Sequence, residues 1–152
     1  MFILDTNVVS ELRLIKSGKA DRRVVAWAAR AVPSELYLSV ITVLEIELGA
    51  LRAARRDPVQ GAVYKAWLNQ HVLPTFKGRI LVIDTEVARR CASLHVPDPC
   101  SERDAMIAAT ALVHGMTVVT RNETDFARTA APLINPWLTP LSKPRGRRQT
   151  PS

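Results

Sequence analysis

Four acidic residues draw attention by their place in the hydropathy pattern: Asp5, Glu45, Asp104 and Asp125. Asp5 closes the short apolar run Phe2-Ile3-Leu4, the pattern of a strand that ends in polar residues. Asn122 and Asp125 follow a second such run, Val118-Val119-Thr120. Glu45 interrupts an apolar stretch from Ile41 to Leu51, and Asp104 falls in the first turn of a helix expected from Glu102 to His114. In an open parallel sheet, ligands bind beyond the carboxyl ends of the strands, so these acids converge on one mouth if their strands are central neighbours. Carboxylates gathered that closely repel, and a divalent cation or protonation must offset the repulsion. An all-oxygen set without Cys or paired His suits Mg²⁺ or Mn²⁺. Such an ion polarises a phosphoryl oxygen and activates water, which is the chemistry of phosphodiester hydrolysis.

Each acid has a structural reading as well. Asp5-Thr6-Asn7 is also the composition of a helix N-cap. Ser101 to Asp104 and Asn122 to Asp125 both have the spacing of a capping box. Glu45 is the hardest to explain in this way, because its helix is otherwise patterned for burial. Glu102 and Glu123 lie close enough in sequence to assist, whereas Glu47 is expected to face solvent. The residues by themselves leave a metal site and a set of caps both open.

The elements that must position these acids alternate between strand and helix. Strands are expected at Phe2 to Asp5, Leu36 to Ser39, Arg79 to Ile83 and Met116 to Thr120. Helical spacing of apolar residues marks Asp21 to Ala31, a helix capped by Thr42 that runs to about Arg55, and one after Asp57-Pro58 that Pro74 stops. Asp84 or Thr85 caps a helix through His95, Thr6 or Asn7 caps the first helix, and Gly115 ends the helix from Glu102. This order predicts an α/β fold, a central parallel sheet flanked by helices on both faces.

At 152 residues, 47% of them hydrophobic, the chain suits one domain over residues 1–138. The net charge of +7 is unevenly spread, since the acid-free tail carries Lys143, Arg145, Arg147 and Arg148. Residues 139–152 are therefore expected to be disordered, with nucleic-acid attraction as one possible use of the charge. No run of about 18 uncharged apolar residues exists and the first residues lack a signal-peptide pattern, so a cytoplasmic protein is expected. Cys91 and Cys100, nine apart without a Cys-x-x-Cys pattern, are expected to be reduced and structural. His71, His95 and His114 read as helix-end residues, and Trp27, Trp67 and Trp137 as core or subunit contacts. Arg22, Arg23, Arg52, Arg55 and Arg56 suit either a basic rim for RNA or a solvated helix face.

Four segments, in order, resemble the PIN-domain family, in particular toxins of the VapC and FitB type. They are Phe2-Ile3-Leu4-Asp5-Thr6-Asn7-Val8-Val9-Ser10-Glu11-Leu12, Ser39-Val40-Ile41-Thr42-Val43-Leu44-Glu45-Ile46-Glu47-Leu48-Gly49, Arg103-Asp104-Ala105-Met106-Ile107-Ala108-Ala109-Thr110-Ala111, and Thr117-Val118-Val119-Thr120-Arg121-Asn122 with Asp125-Phe126. The resemblance covers about residues 1–138. It implies an endoribonuclease that uses Mg²⁺ or Mn²⁺, forms a homodimer and is neutralised by a small VapB-like antitoxin. On this resemblance Asp5, Glu45, Asp104 and Asp125 form the acidic cluster, with Asp5 and Asp104 as direct metal ligands. Thr6, Asn7, Thr120 and Asn122 match the polar residues that shape the pocket. A housekeeping RNA-processing nuclease and a non-catalytic RNA- or protein-binding module are the competing functions. A phosphoacceptor receiver would need a paired acid early and a lysine closing a late strand, whereas this strand ends Thr120-Arg121-Asn122. A phosphatase of the haloacid-dehalogenase type wants Asp-x-Asp where Asp5-Thr6-Asn7 stands.

Overall fold

The computed structural model describes residues 1–141. Most of the stretch expected to be disordered, including its four basic residues, lies outside the described residues, whereas Thr139 within it bonds the Asn135 carbonyl.

Five short strands, β1 (Phe2–Leu4), β2 (Leu36–Ser39), β3 (Ile80–Leu81), β4 (Thr117–Val119) and β5 (Leu133–Ile134), form one sheet in the order β3-β2-β1-β4-β5. All pairs are parallel; Phe2 aligns with both Leu36 and Thr117, and Leu4 with Val119. From β1 the chain moves outward to β2 and β3, then returns to the other side of β1 for β4 and β5. The strand order thus reverses between β1 and β4, where an open α/β sheet leaves a crevice at its carboxyl edge.

Alternation along the central strands divides the core between the two sheet faces. Leu4, Leu38 and Val119 join Val8, Val24, Leu68 and Trp137 on one side. Ile3 and Val118 join Ile107, Ala108, Met116 and Phe126 on the other. Helices therefore cover both faces. Trp27 packs edge-on against Phe2 with ring centroids 6.0 Å apart, Trp67 is partly buried, and Trp137 is buried, so the tryptophans serve the core.

The helices are α1 (Thr6–Leu12), α2 (Arg22–Arg30), α3 (Val40–Arg56), α4 (Pro58–Trp67), α5 (Leu73–Thr75), α6 (Thr85–Leu94), α7 (Glu102–His114) and α8 (Glu123–Phe126). Several boundaries differ from expectation. Asp5, not Thr6 or Asn7, caps α1 by accepting from the Thr6 amide. Ser39 caps α3, so this helix leaves β2 without a loop and places Thr42 inside it, fully buried. Pro74 does not stop the preceding helix. A π-helical turn at Leu68–Val72 links α4 to α5, and widening the backbone there accommodates the proline ring two residues later. The third strand shrinks to two residues, and β5 with α8 had no signal in the hydropathy pattern. Gly115 ends α7 at φ 66°, the left-handed conformation expected of a glycine terminator. Gly61 lets α4 approach α3 so closely that a Cβ would lie 2.4 Å from Ala54 Cα.

Cys91 and Cys100 are free thiols on either side of the His95 ring, and burial raises the Cys91 thiol above its ordinary range. His95 caps the end of α6, in line with the helix-end reading.

Candidate active site at the carboxyl edge of β1 and β4

Asp5 is the first residue beyond β1 and is only 4% exposed. Its backbone amide still bonds the Val119 carbonyl at 2.9 Å, so the sheet itself fixes where the side chain begins. Oδ1 accepts from the Thr6 amide at 2.8 Å. Oδ2 accepts from the Thr120 hydroxyl at 2.7 Å and from Asn7 Nδ2 at 3.1 Å. Two carboxylate oxygens offer about four lone-pair positions, so one acceptor position, on Oδ1, stays open. Burial pushes the Asp5 carboxyl above its ordinary value and the charge on Glu45 adds to this, whereas bonds from Thr120, Thr6 and Asn7 pull the other way.

Thr120 stands beyond β4 as Asp5 stands beyond β1, and the β1–β4 register brings the two side by side. The fully buried Thr120 hydroxyl donates to Asp5 and accepts from the Asn122 amide at 3.0 Å. Asn7 closes the network by accepting from the Arg121 amide at 3.3 Å. Thr6, Asn7, Thr120 and Asn122 thus form one connected polar frame around a single buried carboxylate. Asn122 enters it through its backbone.

Glu45 lies in α3, with Oε1 accepting from the Thr6 hydroxyl at 2.9 Å. That hydroxyl is also 3.3 Å from Thr42 Oγ1. Thr42 was read in sequence as a helix cap, and its place beside Thr6 depends on α3 crossing α1. Oε2 of Glu45 faces Arg103 Nη1 at 3.8 Å.

Asp104 is half-buried in the first turn of α7. Burial raises its carboxyl, followed by the charges of Asp5 and then Asp125, with the Ser101 hydroxyl opposing them. Ser101 makes no side-chain cap bond to α7, nor Asn122 to α8, so neither capping box forms. Asp125 is exposed in α8. The four acids therefore share one electrostatic site, with Asp5 buried at its floor and Asp125 at its rim. Glu102 and Glu123 are exposed, and Glu102 exerts its charge on Cys91. Arg103 was not singled out in sequence, although a cation in the first turn of a helix, against the helix dipole, was a readable signal.

Among the described residues no three Asp, Glu, His or Cys side chains form a ready-made cation cage. Mg²⁺ seldom uses one, since it keeps several waters and binds through one or two carboxylates plus substrate phosphates. An all-oxygen donor set, an open acceptor position on Asp5 and mutual repulsion with Asp104 fit such an ion.

The model of the PIN domain family matches residues 2–132. The chain belongs to the PIN domain family. This PIN domain is similar to the VapC ribonuclease Y4jK of Sinorhizobium fredii, with 38% identity over 144 residues, covering 90% of this chain and 98% of that protein. It is also similar to the toxin FitB of Neisseria gonorrhoeae, with 39% identity over 144 residues, covering 90% and 99%. Among solved structures it resembles FitAcB from Neisseria gonorrhoeae, with a TM-score of 0.81 and 36% identity over 91% of this chain and all of that one. The α/β expectation, a parallel sheet flanked by helices in a PIN fold, is borne out.

Proposed function

We propose that this PIN domain is a Mg²⁺- or Mn²⁺-dependent endoribonuclease and the toxin of a pair with a VapB-like antitoxin. The observation that carries the reading is a buried, hydrogen-bonded Asp5 coupled by charge to Glu45 and Asp104, at the strand-order reversal of a PIN fold. Ribonuclease-named and toxin-named relatives at 38–39% identity over most of the chain support it.

Asp5 and Asp104 are the residues that would hold the ion. When bound, it polarises a phosphoryl oxygen and lowers the pKa of the attacking water. Thr120 and Asn7 favour the ionised form of Asp5 and fix its rotamer, so the carboxylate needs no reorganisation when substrate arrives. Glu45, anchored by Thr6, and Asp125 at the rim orient the water that attacks phosphorus. Among the described residues the site holds no Ser-His or Cys-His pair, which suits direct attack by water.

A groove of about 250 Å³ starts at Thr6 and Glu45 and runs between α1, α3 and α4 past Ala53, Arg56 and Tyr64. It suits an extended antitoxin segment that delivers a basic side chain to the acids. Leu44 and Leu51 on α3, with Val59 and Val63 on α4, are exposed apolar side chains available to a partner chain or a second copy. No helix among the described residues is long and apolar enough to cross a membrane, which suits action on cytoplasmic RNA.

The deciding experiment incubates total bacterial RNA with purified protein in Mg²⁺, Mn²⁺ or EDTA, beside Asp5→Asn and Asp104→Asn variants. Metal-dependent cuts that vanish in both variants are expected. A folded, antitoxin-free protein that cuts nothing with either ion would transfer the case to a binding module. Growth arrest on expression without a partner distinguishes a toxin from a housekeeping nuclease.

A further inference from the structure

Among the described residues, Arg103 is the basic side chain within ion-pair distance of the acidic site. Three features of its placement do not suit a structural role. It occupies the second position of α7, where the positive end of the helix repels a guanidinium. Its contact with Glu45 is loose, 3.8 Å between Nη1 and Oε2, well beyond the separation of a charge-assisted hydrogen bond. Glu45 does not need it, because the Thr6 hydroxyl already holds Oε1 at 2.9 Å. The Arg103 side chain is 46% exposed, so it keeps the freedom to leave Glu45.

A polyanion approaching four carboxylates meets repulsion that a local cation must offset. The guanidinium fork matches two phosphate oxygens at once, and Arg103 directly precedes Asp104 in the same helical turn. We propose that Arg103 is the substrate-phosphate clamp of this site. In the free protein it rests against Glu45 Oε2; when RNA enters it transfers to a backbone phosphate and leaves that oxygen of Glu45 unpaired for water. The clamp rests on the ribonuclease reading above.

The test measures binding of a fluorescein-labelled single-stranded RNA to the full chain in EDTA, across a series of NaCl concentrations, with RNA integrity checked on a gel. Arg103→Gln should bind about tenfold more weakly at low salt, the loss of one charge-assisted contact. Its plot of log affinity against log salt should be shallower by about 0.7, the share of one phosphate contact on a single strand. Arg103→Lys should restore the slope but only part of the affinity, because an ammonium keeps the charge and loses the fork. Glu45→Gln should tighten binding, since it releases Arg103 and removes a repelling charge. An Arg103→Gln protein with an unchanged salt slope, while wild type binds normally, overturns the clamp alone and leaves Arg103 as a positioning residue for Glu45. A wild-type chain without salt-dependent RNA binding overturns the clamp, whereas the ribonuclease reading falls only if the Mg²⁺ and Mn²⁺ cleavage assay above also shows no cuts.

Discussion

Replacing Thr120 by Val removes one buried hydroxyl while nearly preserving shape, so it isolates the hydrogen bonds that hold Asp5. The hydroxyl donates to the Asp5 carboxylate at 2.7 Å and accepts from the Asn122 amide at 3.0 Å. A bond to a charged group contributes about 1.5–3 kcal/mol and a neutral one about 0.5–1.5 kcal/mol, so Thr120→Val should destabilise by about 2–4.5 kcal/mol at a pH where Asp5 is ionised. With a urea dependence of about 2 kcal/mol per molar, the unfolding midpoint should fall by about 1–2 M. The loss should depend on pH in a defined direction. Thr120 favours the ionised form of Asp5, so the variant's folded carboxyl rises further above the ordinary value than the wild type's. The stability difference is therefore complete above the variant's folded pKa and shrinks as pH falls and Asp5 is protonated in both proteins. What remains at low pH is the neutral share. The assay is urea denaturation followed by far-UV circular dichroism in EDTA at several pH values, with Thr120→Ser as the control that keeps the hydroxyl. A loss below about 1 kcal/mol, or one that does not change with pH, would refute the account of Asp5 as a carboxylate held by Thr120.

Three other substitutions test different parts of the structure. Asp104 is raised by burial and then by Asp5 and Asp125, so its ionisation opposes folding as pH climbs through its folded pKa; Asp104→Asn should raise metal-free stability at pH 7 but not below the ordinary carboxyl value. Thermal melts should also show Mg²⁺ stabilising wild type more than this variant, and equal Mg²⁺ shifts would remove Asp104 from the ligand set. Gly61→Ala should destabilise by about 1–3 kcal/mol despite alanine's higher helix propensity, because its Cβ would meet Ala54 at 2.4 Å; an unchanged urea midpoint would contradict the close α3–α4 packing. Phe126→Ala should cost about 3–5 kcal/mol, since the ring is fully buried beside Asp125, and should loosen α8 enough to speed amide exchange there; retained protection of Asp125 would argue against that coupling.

The sequence by itself determined the alternation of strands and helices and therefore a parallel sheet with two covered faces. Period-two and helical spacings are local and readable, and Ile3 and Leu4 were bound to face opposite sides of any sheet containing them. It also placed Asp5 and the Thr120 segment at strand ends, and the four PIN-like segments named the acids. Whether those strands were neighbours was not local information. Only the tertiary structure set β4 beside β1 in the register that brings Thr120 to Asp5 across 115 positions of chain, and crossed α3 over α1 so that Thr6 holds Glu45. The strand β5 was illegible for the same reason: two residues carry no periodicity, and Leu133–Ile134 is a strand because β4 offers it backbone partners. Pro74 and Thr42 misled because local propensity yields to context, a π turn in one case and direct entry from β2 into α3 in the other. Arg103 shows the limit most clearly. Its type and its unfavourable position in the helix were legible, but its meeting with Glu45, 58 residues earlier, exists only because α3 and α7 pack across the same edge of the sheet.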